Sequence, residues 1–134
     1  MQDRIDQHKT QRGPDWRTIE APIDVVGALA KVTPQEAVLL DCATLWLSNQ
    51  MLAEADLRIE TDRLLQALAA CTGDVVIVSN EVGQGIVPDN ALARQFRDAQ
   101  GRLNQLLAAQ SDLAVLVCAG LPLVLKGSLP EGVA

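Results

Sequence analysis

Apolar residues gather in two kinds of run along this chain. Three runs are short and unbroken: Glu36 to Cys42 (EAVLLDC), Asp74 to Asn80 (DVVIVSN) and Leu113 to Gly120 (LAVLVCAG). A half-exposed strand alternates apolar with polar, whereas a strand covered on both faces reads as a continuous apolar run. These three therefore predict buried parallel strands with helices over both faces of the sheet. The second kind is spaced at threes and fours. Leu45 to Ala53 and Arg58 to Cys71 set leucines and alanines against acids and arginines, which predicts amphipathic helices. A longer helix is predicted from Asp89 to Gln110, with Pro88-Asp89-Asn90 as its capping signal and Leu92, Phe96, Leu103, Leu106 and Leu107 on or near one face. Gly101 falls inside it, at a place for close packing or a bend. Leu121 to Lys126 (LPLVLK) predicts a short edge strand, where a proline near the start is tolerated.

Strand, helices, strand, helix, strand is the order of an open α/β sheet, here read as a single domain over 1–134. Before the first strand the chain is polar. It passes through Gly13-Pro14, Trp16-Arg17-Thr18-Ile19-Glu20 and Ala21-Pro22 before a short helical pattern from Ile23 to Lys31, and reads as a loop with a functional role.

Composition narrows the function classes. A chain of 134 residues that is 49% hydrophobic buries a real core and is not disordered. Its net charge of −6 argues against a nucleic-acid surface, which needs clustered lysine and arginine. No apolar run reaches the length of a membrane span, and MQDRIDQHKTQR lacks the apolar core of a signal peptide, so a cytoplasmic protein is expected. Cys42, Cys71 and Cys118 show no C-x-x-C spacing and lie in or beside apolar segments, which predicts reduced core residues. His8 is the single histidine, so a two-histidine metal site is not expected.

Ligands of open α/β sheets bind beyond the carboxyl ends of the strands, and two polar clusters fall there. Asp41 closes the apolar run AVLLD, the pattern that places a carboxylate near a nucleotide's magnesium; a helix cap or turn acid gives the same pattern. Ser79 to Pro88 (SNEVGQGIVP) sets Ser79, Asn80 and Glu81 beside Gly83 and Gly85. Those glycines either let backbone approach a ligand or merely satisfy a strand-to-helix turn. His8 stands among Arg4, Lys9 and Arg12. Such cations attract phosphate and favour a neutral, nucleophilic imidazole, although a solvated histidine fits the same sequence. Arg94 and Arg97 suit a phosphate, a partner subunit or a solvated helix face, and Trp16 and Trp46 suit base stacking or core packing.

Taken in order, five blocks resemble one family: RIDQHKTQR, WRTIEAP, VLLDCATLWLSN, VSNEVGQGIVPDNALARQFRDAQGRLNQ and AGLPLVLKG. This is the bifunctional adenosylcobinamide kinase / adenosylcobinamide-phosphate guanylyltransferase family of cobalamin biosynthesis. The resemblance spans nearly the whole chain. It implies a RecA-like P-loop NTPase-type fold with a mostly parallel sheet, assembled as a homo-oligomer, a trimer. It also implies two reactions, phosphorylation of adenosylcobinamide by a nucleoside triphosphate (ATP or GTP) and transfer of GMP from GTP through an enzyme histidine to adenosylcobinamide phosphate. By position in the motifs, His8 corresponds to the guanylyl acceptor and Asp41 to the carboxylate near Mg2+. Arg4, Lys9, Arg12, Glu20, Asn80, Glu81, Gly83 and Gly85 correspond to nucleotide-binding positions.

The family's G-x-x-x-x-G-K-[ST] loop has no counterpart here, since Gly83 and Gly85 are followed by Ile86 and Lys126 lies far away. The expectation is a family member lacking its first strands and P-loop, with kinase activity only in a full-length enzyme. A non-catalytic module that binds nucleotide or corrinoid, or that serves subunit assembly, is the alternative.

Overall fold

A computed structural model of the protein describes residues 16–82 and 89–131. In chain order they form α1 (Val25–Leu29), β1 (Ala37–Asp41), α2 (Ala43–Leu52), α3 (Leu57–Ala70), β2 (Asp74–Val78), α4 (Ala91–Gln110), β3 (Ala114–Cys118) and β4 (Leu121–Lys126). Every predicted strand and helix is present within a few residues of its expected ends. Short polar side chains start the helices by accepting from orphan backbone amides. Asp24 Oδ1 accepts from Gly27 N–H at 3.0 Å, and Asp56 Oδ1 from Arg58 and Ile59 N–H at 3.1 and 3.3 Å. Asn90 Oδ1 accepts from Ala93 N–H at 2.6 Å. Within the Pro88-Asp89-Asn90 signal, the cap is therefore Asn90.

The sheet departs from expectation. β1 and β2 pair in parallel, with Leu39 opposite Val76 and Asp41 opposite Val78. β3 does not join them: it forms an antiparallel hairpin with β4, and the described strands make two separate two-stranded sheets. The turn explains how. Ala119 and Gly120 are its two central residues and both have positive φ, 52° and 75°, the backbone of a tight turn whose twist matches the flanking strands. An unbroken apolar run specifies burial on both faces in sequence but carries no partner information. With a two-residue turn available, β3 pairs with its neighbour in the chain.

Nor are both faces covered. Leu29, Leu40, Ala43, Trp46, Leu47, Leu64, Ala99 and Leu103 form the core, with Val38 and Ile77 packed against it. All four helices contribute to that core, with α3 packed against α1, α2 and α4. On the other side Leu39, Val76 and Val78 are exposed, and in the hairpin so are Val117, Leu121, Leu123 and Leu125. Cys118 is likewise exposed, which corrects its reading as a core residue; Cys42 and Cys71 are half-buried. Trp46 is core and Trp16 is exposed. The buried stripe of α4 passes through Ala99 and Leu103, whereas Leu92 and Leu106 are exposed. α4 is continuous through Gly101, where an added Cβ would meet nothing within 4 Å, so that glycine makes no close contact among the described residues.

Candidate active site

The carboxyl ends of β1 and β2 lie side by side, and the parallel register carries Asp41 to the level of Val78. Immediately beyond, the chain turns into α2 on one side and into Ser79-Asn80-Glu81 on the other. Strand pairing ends here, so the peptide groups of Asn80 are satisfied by side chains instead. Its N–H donates to Thr44 Oγ1 at 2.8 Å, and its C=O accepts from Asn104 Nδ2 at 3.0 Å. Thr44 lies in the first turn of α2 and Asn104 lies on α4, so two helices hold one strand end.

Behind Asn80 a further set of bonds closes on α4. Ser79 Oγ donates to Asn104 Oδ1 at 2.5 Å. Gln100 Nε2 donates to Ser79 Oγ and to Asn104 Oδ1, both at 2.9 Å. Gln100 is 0% exposed, and its Oε1 is a buried acceptor without a hydrogen-bond partner among the described residues. Sequence reasoning missed Gln100, Asn104 and Thr44. The available signal for the α4 pair was QGRLN, in which Gln100 and Asn104 stand four residues apart on one helix face, inside a block already singled out.

The segment holding Glu20 is anchored elsewhere. Asn49 Nδ2 and Gln50 Nε2 donate to the carbonyls of Pro22 and Ile23 at 2.9 and 3.1 Å. These side chains lie on the C-terminal half of α2, about 10 Å along the helix from its start at a rise of about 1.5 Å per residue. Arg17 meets Glu36 Oε2 at 3.0 Å, and Glu36 Oε1 accepts from Thr33 N–H at 2.9 Å. The Thr33 bonds, and after them Arg17, hold the Glu36 carboxyl below its ordinary range.

The structure thus brings Asp41, Asn80 and Glu81 to one end of the parallel pair, all three exposed, with Glu20 on a separate, tethered segment. His8, Arg4, Lys9, Arg12, Gly83 and Gly85 lie outside the described residues. Among the described residues no group of three or more His, Cys, Asp or Glu suits a metal ion. Magnesium, however, commonly takes one or two protein carboxylates together with substrate phosphates and water, so an exposed Asp41 at a strand end fits that more limited role. Arg94, Asp98 and Arg102 of α4 line a groove of about 410 Å³ together with Leu57 at the start of α3. No described helix is long and apolar enough to cross a membrane.

Residues 1–125 match the model of a family described as cobinamide kinase / cobinamide phosphate guanyltransferase. The bifunctional adenosylcobalamin biosynthesis protein CobP of Pseudomonas aeruginosa is 37% identical over 127 residues, which cover 92% of this chain and 73% of the relative. The protein CobU of Salmonella typhimurium, with the same description, is 38% identical over 143 residues, 94% of this chain and 78% of the relative. CobU of Escherichia coli is 36% identical over 142 residues, with the same coverage of 94% and 78%.

Proposed function

The chain belongs to the cobinamide kinase / cobinamide phosphate guanyltransferase family, and on that premise we propose that it transfers GMP from GTP to adenosylcobinamide phosphate in cobalamin biosynthesis, with His8 as the acceptor. The observation that carries the reading is a family match over nearly the whole chain, joined to the meeting of Asp41, Asn80 and Glu81 beyond two parallel strands.

In this reading a neutral His8 imidazole nitrogen attacks the α-phosphorus of GTP, and the bond to pyrophosphate breaks. The resulting phosphoramidate is then attacked by a phosphate oxygen of adenosylcobinamide phosphate, releasing His8 and giving adenosylcobinamide-GDP. Division into two displacements is nucleophilic catalysis, and cations around His8 favour both the neutral imidazole and the approach of the triphosphate. Asn80 and Glu81 orient the nucleotide from the strand end, and Glu20, Arg4, Lys9, Arg12, Gly83 and Gly85 complete the nucleotide site. Asp41 would hold Mg2+, which when bound neutralises phosphate charge. The kinase reaction of the family, with ATP or GTP as phosphoryl donor to adenosylcobinamide, relies on a phosphate cradle of the G-x-x-x-x-G-K-[ST] kind. With no such run among these 134 residues, they are expected to support GMP transfer without phosphoryl transfer. The finer fold assignment, a RecA-like P-loop NTPase-type domain with a mostly parallel sheet, and a cytoplasmic location belong to the same proposal.

Intact mass after incubation with GTP and magnesium tests it. A guanylyl-sized, acid-labile gain that is absent in His8→Ala is expected. Saturable GTP binding with no gain in mass would favour a non-catalytic module instead. A homo-oligomer, specifically a trimer, is part of the proposal, and the uncovered apolar side chains of the hairpin support association. Sedimentation velocity should show it, and a single monomeric species would count against it.

A further inference from the structure

Gln100 is an anomaly on energetic grounds. It is fully buried on the core-facing side of α4, close to Ala99 and Leu103 in the chain, and its Oε1 finds no donor among the described residues. Buried polar atoms are almost always paired, and leaving one unpaired opposes folding, so a methionine of similar length would suit this position better as packing. What the amide provides is its Nε2, whose two bonds fix Ser79 Oγ and Asn104 Oδ1. Asn104 in turn holds the carbonyl of Asn80, whose N–H is held by Thr44. The Asn80 peptide groups are thereby clamped on both sides where the chain leaves β2.

We infer that Gln100, Ser79 and Asn104 form a positioning relay. It sets the backbone of Asn80, and so the direction in which Asn80 and Glu81 meet the nucleotide, at a cost in fold stability. The relay touches no substrate, and the inference rests on the guanylyl-transfer reading above. A local conflict between stability and side-chain choice is the pattern expected of a functional position.

The rate of GMP incorporation from radiolabelled GTP into the whole chain, followed against GTP concentration, tests this alongside thermal unfolding. Gln100→Met removes both the orphaned oxygen and the two donated bonds. It is expected to melt at or above the wild-type temperature while its labelling rate constant per GTP concentration falls about tenfold, a loss in keeping with small misplacements near reacting groups. Ser79→Ala should show a comparable loss, and Ser79→Thr, which keeps the hydroxyl, should stay within about threefold of wild type. Wild-type labelling by Gln100→Met overturns the inference alone. A Gln100→Met chain without a cooperative transition also overturns it, because the amide would then serve the fold. Absence of labelling in the wild-type chain overturns the transferase reading and the relay with it.

Discussion

Glu36 ties the entrance of the sheet together through one carboxylate, which accepts from the Thr33 amide and meets Arg17. Its protonation is therefore linked to folding. With the carboxyl held below its ordinary range, its contribution is complete above the pKa of an unfolded glutamate and fades as pH falls through the depressed folded value. Glu36→Gln should therefore lower stability in the neutral range and flatten the acid limb, its difference from wild type shrinking as pH falls through the folded pKa, as read from denaturant midpoints across a pH series. The meeting of Asp41, Asn80 and Glu81 at one strand end was legible in sequence, because each closes or follows an apolar run and adjacent parallel strands bring such ends together. Gln100 was not. A glutamine within a helix reads as solvent-facing, and only packing against Ser79 and Asn104 shows otherwise. The position of His8 rests on the family motif.

At the level of elements, α4 is the piece on which the site leans. Its twenty residues run without interruption, and its middle supplies Gln100 and Asn104 to the strand end. Glycine in a helix interior is unfavourable relative to alanine by about 1 kcal/mol, and at Gly101 a methyl group would meet nothing within 4 Å. Gly101→Ala should therefore raise stability by about that amount, measured by equilibrium denaturation; a loss of similar size would point to a contact made only in an assembly or with substrate. Helix and strand positions were readable because periodicity and capping act locally. Strand pairing was only half readable. β1 and β2 are joined through helices and pair in parallel as their unbroken apolar runs predict, whereas the sequence beyond β3 left its partner undetermined until the Ala119-Gly120 turn closed the hairpin.

Across the whole molecule, apolar packing is one-sided. The core draws on α1 to α4 and on one face of the parallel pair, and no residue of β3 or β4 enters it. The uncovered face was not legible, since EAVLLDC and DVVIVSN have the composition of strands shielded on both sides. The hairpin instead returns to α4 through Lys126, whose ammonium donates to the carbonyls of Ala108 and Ala109 at 3.2 and 2.8 Å at the helix's last turn, where a cation also suits the dipole. Opening free energies within a protein follow local burial, so this arrangement divides the chain into two cooperative units. Amide hydrogen exchange should find the core-facing turns of α2 and α3 protected up to global unfolding, while β3 and β4 exchange through a separate, lower-energy opening that Lys126→Met makes easier still. Uniform protection across both would show that the molecule breathes as a single unit.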